Sequence, residues 1–572
     1  MTQATGCYLR CLNRSLVLLA FAGGVAVCAT GQSTSVESLK QFYDQRQWPE
    51  VIRAAGASAE KNPEADLYTG LAYAQMKRWE EAKKAFEEGA RKSPRSERFP
   101  IELAGVAYRM NDLGEAEKQL KRAIGLAPND AYALNFLGTI YLLQGNLQAA
   151  LKYWNRVEAP YISQVEAIPE PRLNSSLFAK TIAISPLSIL RLRDLEMTDA
   201  QVKALGIFPI HRWELQPQNG ASYNLVFHSI EENGWGANKW TGALTVLRGL
   251  PYQTVYPQFH NAGHRAINVG SLVRWNSQKR RVAVAMSMPL EHSPQWRLDI
   301  RLDGRDENWN LASAFNEAAP PITGMKLRKL EFAAEIGRIQ TEKLTWHTGA
   351  RFSRRTFSNL IGAAPQAQTF FENGNMVEWN GGADYRLVSI PDFRFSVNSS
   401  ATSAVGKRST ESEAYGFGSV TGDVHVHWFP QATGDDYEID SRFRSGAVFG
   451  SIPFDEMFTL GEERDDNDLS LRGISTVRDG RKGNSPLGRR YVLWNLEWNK
   501  VIYKDAFFEV KVGPAFDAGT IMDPSGYFGS RGWLWDPGAQ CNIRVLDTID
   551  VVFSYGHNAR TAQNTFFVAT HR

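Results

Sequence analysis

The sequence predicts a multidomain fold: an α-helical solenoid, a small α+β domain and a C-terminal 16-stranded antiparallel transmembrane β-barrel. Three observations predict these parts. A 34-residue repeat with helical spacing occupies residues 36–165. Short segments with helical spacing, and others in which apolar and polar residues alternate, follow over residues 168–235. Over residues 238–572, segments of about ten residues alternate in polarity, as the strands of a membrane barrel do.

Residues 1–29 have the pattern of a secretory signal peptide. Arg10 and Arg14 precede a short apolar run that ends in small residues at Ala29. An uncleaved anchor is the alternative. Three of the four cysteines lie in this segment, so a processed chain would keep Cys541 alone, and we expect neither a disulfide nor a cysteine metal site. The formal net charge of +3 gives no reason to expect a nucleic-acid partner.

The repeat has small, aromatic and proline residues at corresponding positions. We expect the following residues to pack its helices: Gly70, Tyr73, Ala82, Gly105, Tyr108, Ala116, Gly138, Tyr141 and Ala150. The three alanines are 34 residues apart, although the middle repeat is one residue shorter between its glycine and its alanine. This pattern resembles tetratricopeptide repeats, which implies a concave surface that binds partner polypeptides. A simple spacer is the alternative.

The segment after the repeats predicts a strand at "FAKTIAIS" (178–185), two short helices with Thr198 as an N-cap, and a hairpin around "NGA". The "LGIF" before the hairpin contains Gly206 and Phe208. This order resembles one POTRA domain of the outer-membrane assembly superfamily of BamA, TamA and the two-partner secretion transporters. A small α+β linker domain is the alternative.

The barrel prediction comes from segments such as "WRLDIRLDGR" (296–305), where charged and apolar residues alternate strictly. A soluble sandwich would not bury a fully charged face, whereas a barrel with a wet interior and a lipid-facing exterior requires one. Counting such segments gives sixteen strands, the first near residues 242–248 and the last near 564–571.

The long loop between predicted strands eleven and twelve carries the most specific resemblance to this superfamily, in "SIPFDEMFTLG" (451–461), "LSLRGI" (469–474) and "PAFDAG" (514–519). The resemblance implies that the loop folds into the lumen and that its Arg-Gly pair contacts inward residues of the next two strands. The predicted lock comprises Arg472, Gly473, Glu497, Asp517 and Gly519. An arginine can bridge two carboxylates with its fixed donors. The family's phenylalanine is replaced by Ala515, and Phe516 should face lipid.

No catalytic residues, cofactor or metal site is predicted, and we expect the chain not to be an enzyme. His260 and His264 are four residues apart, but in a strand they do not share a helical face. His425 and His427 lie on one face of a strand without an evident third ligand, so both pairs are expected to be ordinary barrel residues.

The resemblance implies a protein of the bacterial outer membrane with its N-terminal domains in the periplasm. It would contact outer-membrane lipid and would bind client or partner polypeptides through the repeats and the POTRA-like domain. The implied function is to assist insertion or translocation of polypeptides. A dedicated secretion pore for one partner protein, or a passive porin-like or structural barrel tethered by its repeats, are the alternatives. The sequence does not name the client, the direction of transport or the oligomeric state.

Overall fold

The computed structural model describes residues 36–57, 62–218, 222–290, 293–311, 324–362, 370–411, 413–431, 434–526, 528–546 and 549–571. The predicted signal peptide lies outside these residues. The chain groups into two compact units. One takes the residues up to 164 with 186–190 and 215–225, and the other takes 165–185, 191–214 and 226–572. The domain boundaries predicted near residues 165 and 235 remain predictions.

The first part of the described chain is helical. Its helices are α1 (Val36–Asp44), α2 (Trp48–Ala57), α3 (Pro63–Gln75), α4 (Trp79–Lys92), α5 (Arg98–Arg109), α6 (Leu113–Leu126), α7 (Ala131–Leu143) and α8 (Leu147–Trp154). Side-chain oxygens of Asn or Asp accept backbone N–H groups at four of their N-termini, at Asn62, Asp112, Asp130 and Asn146. Such caps satisfy N–H groups that a helix leaves without partners, and they fix where each helix begins.

The predicted small residues pack the helices at two repeats. The alanines of the repeat have no exposed surface at Ala82, Ala116 and Ala150. A Cβ at Gly70 would lie 2.4 Å from the ring of Phe86, and one at Gly138 would lie 2.4 Å from the ring of Trp154. Tyr141 is buried as well. Glycine is therefore required at both positions because a large ring occupies the space of a side chain.

The middle repeat differs from the prediction. A Cβ at Gly105 would meet no atom within 4 Å, so this glycine does not mark a close helix contact. The 34-residue period instead places the fully buried Ala104 at the equivalent position, and it places Leu120 where the flanking repeats have rings. A smaller partner leaves room for the methyl group of alanine. Tyr108 is accordingly not the equivalent of Tyr73.

The α+β part contains β1 (Tyr161–Ile168), α9 (Ser175–Thr181), β2 (Ser188–Ile189), α10 (Leu192–Leu205), β3 (Ile210–Pro217) and β4 (Ser222–Ile230). Its strands form one sheet in the order β2-β1-β4-β3. The strand predicted at residues 178–185 is wrong, because these residues complete α9 and the segment after it. Asn174 starts that helix by accepting the backbone N–H groups of Ser176 and Leu177.

The two short helices predicted next are instead β2 and the single helix α10. Thr198 lies inside α10 rather than at its N-cap, and its Oγ1 donates to the carbonyl of Asp194 at 2.8 Å. Gly206 ends the helix with a φ of 65°, in the left-handed region that favours glycine. Phe208 is buried and its ring packs edge-on against Phe227, with 5.5 Å between centroids. Both residues of the POTRA-like motif therefore have structural roles at this corner.

The C-terminal part begins with α11 (Lys239–Leu247) and continues as strands. They are β5 (Thr254–Val255), β6 (Gln258–Ala262), β7 (Ile267–Trp275), β8 (Lys279–Leu290), β9 (Ser293–Trp309), β10 (Gly324–Ile339), β11 (Leu344–Ile361), β12 (Gly374–Ile390), β13 (Phe395–Thr410), β14 (Ala414–Trp428), β15 (Tyr437–Gly450), β16 (Phe458–Thr459), β17 (Val477–Arg478), β18 (Arg481–Lys482), β19 (Leu487–Gly488), β20 (Arg490–Lys504), β21 (Phe508–Met522), β22 (Leu534–Val545), β23 (Ile549–Asn558) and β24 (Gln563–His571). The long strands form a closed antiparallel barrel in which β24 lies beside β5.

The predicted fold class of solenoid, α+β domain and antiparallel barrel is confirmed, with one correction to the strand count. The first strand, predicted near residues 242–248, is α11. A reciprocal capping box between Asn238 and Thr241 starts this helix. Two of the strands in the ring, β17 and β18, belong to the segment between β15 and β20, and β15 also pairs directly with β20. With these two left out, and with β5 and β6 counted as one interrupted strand because both pair with β7, the described ring has fifteen strands. Among the described residues, no helix combines the length and apolar composition needed to cross a membrane.

The barrel is apolar outside and charged inside. Leu330 in β10 is 60% exposed, whereas its neighbours Lys329 and Glu331 are buried. In β20, Trp494 and Trp498 are exposed while Asn495 between them is buried. This arrangement inverts that of a water-soluble protein, and it is the one expected for strands that face lipid on one side.

Candidate functional site

A long segment between β15 and β20, residues 451–489, lies against the inward-facing side chains of the barrel. We call it the lumen loop. Its Leu460 and Leu471 have no exposed surface and pack in one apolar cluster with Leu493 and Ile521 of the barrel wall. Burying each such side chain contributes about 1.5–3 kcal/mol. The lumen loop therefore shares a hydrophobic core with the barrel wall.

Arg472 forms ion pairs with both carboxylates that the sequence singles out. Its Nη1 donates to Oδ1 of Asp517 on β21, and its Nη2 donates to Oε1 of Glu497 on β20. Nη2 also lies 3.3 Å from Oε1 of Gln540 on β22. The backbone N–H of Arg472 donates to Oδ2 of Asp517 at 2.9 Å. One arginine thus ties the lumen loop to three consecutive strands.

Asp517 has no exposed surface, which makes its partners essential. Besides Arg472, its Oδ1 accepts a hydrogen bond from Nδ2 of Asn495 at 2.7 Å. The same amide donates to the carbonyl of Ser470 at 2.9 Å. A buried carboxylate without a counter-charge costs several kcal/mol, so Asp517 depends on the charge of Arg472.

Phe516 does not cover the guanidinium, in line with the sequence expectation that it faces outward. Its ring lies between two tryptophans of the neighbouring strands, 5.8 Å from that of Trp494 and 5.9 Å from that of Trp535. Ala515 is buried but presents a methyl group alone. Polar side chains rather than an aromatic face therefore hold Arg472.

Gly473 fits a place that excludes any side chain. A Cβ there would lie 2.6 Å from the backbone N of Asn558 and 2.7 Å from Cγ of Asp536. Its N–H donates to Oδ2 of Asp536 at 2.7 Å, and its carbonyl accepts from Oγ1 of Thr565 at 3.0 Å. Its φ lies outside the left-handed region, so close packing rather than backbone conformation requires glycine here.

The barrel wall also presents glycines where the lumen loop approaches it. A Cβ at Gly556 would lie 2.2 Å from the carbonyl carbon of Arg472. A Cβ at Gly519 would lie 3.1 Å from Cδ1 of Leu471. These glycines let the backbone around Arg472 come close enough for its hydrogen bonds.

A second anchor lies in the acidic run of the lumen loop, residues 461–468. The side chain of Asp466 has no exposed surface, and five cationic side chains of the barrel and loop surround it: Arg274 at 3.1 Å, Lys279 at 3.8 Å, Arg281, Arg305 at 3.6 Å and Lys482 at 3.7 Å. Glu463 adds a second carboxylate, 2.9 Å from Nζ of Lys279. The cations come mainly from β7, β8 and β9, on the opposite side of the β24–β5 junction from the strands that bind Arg472.

A third anchor lies nearer the start of the lumen loop, at Glu456. Carboxylate oxygens of Glu456 lie 2.7 Å from Nζ of Lys329, 3.1 Å from Nη2 of Arg351 and 2.8 Å from Nη2 of Arg355. These cations belong to β10 and β11. Together the three anchors connect the loop to most of the strands on either side of the junction, so the loop cannot move without breaking several buried ion pairs.

Arg464 bridges the junction itself. Its Nη2 donates to the carbonyl of Val568 on β24, and its guanidinium carbon lies 3.3 Å from the ring centroid of Tyr252, two residues before β5. On the same side, the hydroxyl of Tyr256 donates to Asp465 at 2.7 Å. The lumen loop therefore contacts the last strand and the start of the first at once.

One carboxyl group of the lumen loop is set to titrate near neutral pH. Burial raises the pKa of Glu462 to about 7, although the positive charge of Arg472 opposes this shift. The negative charge of Asp517 adds to the increase. Glu462 lies in the loop, outside the spanning strands, beside the groups that hold Arg472.

Several residues of this site were not predicted from the sequence. Gln540, Asp536 and Asn495 complete the surroundings of Arg472 and Gly473. The acidic run "GEERDDND" (461–468) also has no partner that the sequence predicts. A signal was available, because β7–β9 carry inward-facing basic residues in excess of what their own carboxylates neutralise. A compensating acidic segment was therefore to be expected.

Comparisons with known proteins bear on the repeats and on the fold. Residues 101–163 match the family model for the tetratricopeptide repeat, which confirms the resemblance over that segment. No curated protein matches the chain. Among solved structures, the chain is similar to BamA from Haemophilus ducreyi lacking its first three POTRA domains, at 11% identity and a TM-score of 0.43 over 72% of this chain and 84% of that one. It is also similar to CdiB from Escherichia coli, at 11% identity and a TM-score of 0.45 over 72% and 75%.

Proposed function

We propose that the chain is a β-barrel protein of a bacterial outer membrane that assists insertion or translocation of polypeptides. The observation that carries the proposal is the lumen loop, fixed by Arg472 between Glu497 and Asp517 inside a barrel with an apolar exterior. A passive diffusion pore needs an open lumen, and a structural barrel needs no ion-pair network around its loop. A loop held by several buried ion pairs is expected in a lumen that is closed at rest and that opens while a polypeptide is inserted or translocated.

The β24–β5 junction is the place where a client polypeptide would leave the barrel wall. The strand β5 has two residues, so few backbone hydrogen bonds can join it to β24. Arg464 spans this short junction. In the proposed cycle, release of the lumen loop removes this bridge and allows the two strands to separate.

The N-terminal parts would bind clients or partners on the periplasmic side. The tetratricopeptide repeats offer the usual concave surface for a polypeptide. In the POTRA-like sheet, β3 is an edge strand of eight residues, long enough for a client strand to pair with it. Protease added to intact cells should leave residues 36–235 uncut, whereas permeabilised cells should lose them. Cleavage on intact cells would contradict the proposed orientation.

Depletion of the protein in its native host tests the function. Insertion of many clients predicts a broad loss of β-barrel proteins from the outer membrane. A dedicated secretion pore predicts loss of one exported protein, and a structural barrel predicts neither. Complementation with Arg472→Ala should fail although the barrel is present in the membrane. Full complementation by that variant would show that the lock has no part in function.

A further inference from the structure

A separate group of polar side chains lies on β14 and β15. His425 and His427 are two residues apart on β14 and therefore share one face of the strand. Asp440 on β15 is in register with His427. The sequence indicates no third ligand for this histidine pair, and the structure supplies one from the neighbouring strand.

The three side chains are already arranged around a common point. Nε2 of His425 lies 2.5 Å from Oδ2 of Asp440, and Nδ1 of His427 lies 3.5 Å from the same oxygen. One possible ligand atom from each residue lies within 4.8 Å of the other two. Zinc binds imidazole nitrogen and carboxylate oxygen at about 2.0–2.2 Å, which places two of its ligands about 3.3 Å apart. Small side-chain rotations reach that spacing.

The charges around the group favour a cation. The nearest basic side chains have their own partners, because Nε of Arg442 lies 2.5 Å from Asp423 and Nζ of Lys511 lies 2.8 Å from Glu438. The carboxylate of Asp440 therefore leaves a net negative charge between two imidazoles.

A second carboxylate is in place to orient one imidazole. Oε1 of Glu438 lies 3.6 Å from Nε2 of His427, on the opposite side of the ring from Asp440. Carboxylates in this position fix the orientation of a metal-binding histidine and raise its basicity. His425, His427 and Asp440 are all half-buried, so an ion can reach them from solvent.

We propose that His425, His427 and Asp440 form a binding site for a divalent transition-metal ion of the Zn²⁺ type. Two imidazole nitrogens and one carboxylate oxygen are the donors that such ions select over Mg²⁺ or Ca²⁺. Three protein ligands leave at least one position for water or for a side chain of a bound polypeptide. Binding requires both imidazoles to be neutral at the ligating nitrogen, so affinity should fall in acid.

Zinc titration of the purified full chain tests the site. The protein is purified in detergent without a histidine tag, and a chelator removes any bound metal. It is then titrated with ZnCl₂ at neutral pH in a calorimeter. One Zn²⁺ per chain is expected. His427→Asn and Asp440→Asn should each weaken binding at least about 10-fold. His347→Asn, at a histidine of β11, serves as the matched control and should leave binding unchanged.

Two further measurements check that the variants fold and that the metal is bound by the proposed ligands. Heat-modifiable mobility on gels reports whether each variant forms its barrel, and if His427→Asn does not, His425→Gln replaces it. Co²⁺ in place of Zn²⁺ should give visible absorption bands of nitrogen and oxygen ligation in the wild type, and Asp440→Asn should weaken them. No binding by the wild type, or equal zinc binding by the wild type and both folded variants, would overturn the proposal.

Discussion

Arg472 and Asp517 are joined twice, through the guanidinium and through the backbone N–H of Arg472, which donates to Oδ2 at 2.9 Å. The backbone bond does not depend on the side chain. Truncating Arg472 therefore leaves Asp517 hydrogen-bonded but without its counter-charge, in a place with no exposed surface. The two contacts can be separated by mutation, which makes this pair the natural starting point for testing the lock.

Arg472→Ala should leave the barrel inserted in the membrane but weaken the binding of the lumen loop to the barrel wall. Removing one partner of a buried ion pair costs about 3–5 kcal/mol, because the remaining carboxylates face each other without compensation. Arg472→Lys should restore part of this, since one ammonium cannot form the two-pronged contact. Protease cleavage within 451–489 and the temperature of heat-modified mobility are the measurements. Arg297→Ala, at an arginine whose side chain is 45% exposed, is the control and should change neither.

Double mutants show whether the three charged residues act as one unit. Arg472→Ala combined with Glu497→Gln or with Asp517→Asn should be less harmful than the sum of the single changes, with coupling of about 0.5–3 kcal/mol. Loop protease protection is again the readout. Strict additivity would mean that the contacts have no energetic link and that Arg472 is a passive arginine.

Asp466→Asn should release the acidic run of the lumen loop, residues 461–468. The change removes the one carboxylate that all five cations share, so the repulsion among them increases although Asp465, Asp303 and Glu463 remain. We expect a lower melting temperature and faster cleavage between residues 461 and 468. Asp468→Asn is a close control, because that side chain lies two residues away and is 81% exposed. Equal effects of the two substitutions would contradict the anchor.

The Arg472 site was predicted from two sources. Alternating polarity placed Glu497 and Asp517 on the inward faces of β20 and β21, and the family resemblance of the loop motif implied that Arg472 is their partner. The Asp466 anchor was missed because its partners are remote, with Arg274 192 residues away along the chain. Periodicity gives the face of a strand but not which strands meet across a lumen.

Local patterns also misled where tertiary context decides the structure. The apolar segment at 242–248 fits a strand, yet the cap at Asn238 and Thr241 makes it a helix. Residues 178–185 are equally ambiguous, and Asn174 starts a helix there too. Gly105 fitted the repeat by residue type, whereas the 34-residue period selects Ala104. In each case the decisive residue was a cap or a spacing rather than the apolar pattern itself.

The binding of the lumen loop to the barrel wall should weaken as pH rises through neutrality. Glu462 has a pKa of about 7 in the folded protein and 4.5 as its ordinary value, so it binds a proton more tightly when folded. Its stabilising contribution is fully present below pH 4.5 and is lost as pH rises through about 7. Loop protease protection should therefore be greater at pH 6 than at pH 8. Glu462→Gln should remove this difference, and a difference that persists in the variant would assign it to another group.

Leu330→Arg should block membrane assembly of the barrel. The side chain is 60% exposed on the outer face of β10, and an arginine facing lipid near mid-bilayer costs about 2–4 kcal/mol. Leu330→Phe keeps the position apolar and should assemble normally. Assembly into native membranes or liposomes, followed by urea extraction, compares the two. Normal assembly of Leu330→Arg would contradict the lipid-facing assignment of β10.

Gly473→Ala tests whether close packing positions the lumen loop. The new methyl group would lie 2.6 Å from the backbone N of Asn558, and a backbone atom in a barrel strand cannot yield easily. The loop would have to lift, stretching the 2.7 Å bond to Asp536 and the 3.0 Å bond from Thr565. Overpacking of this kind costs about 1–3 kcal/mol. We expect faster cleavage of the loop and lower heat resistance, with the barrel still formed.

Gly416→Ala in β14, where a Cβ meets nothing within 4 Å, should behave as the wild type. If Gly473→Ala matches that control, the loop does not sit against the wall as closely as the structure places it.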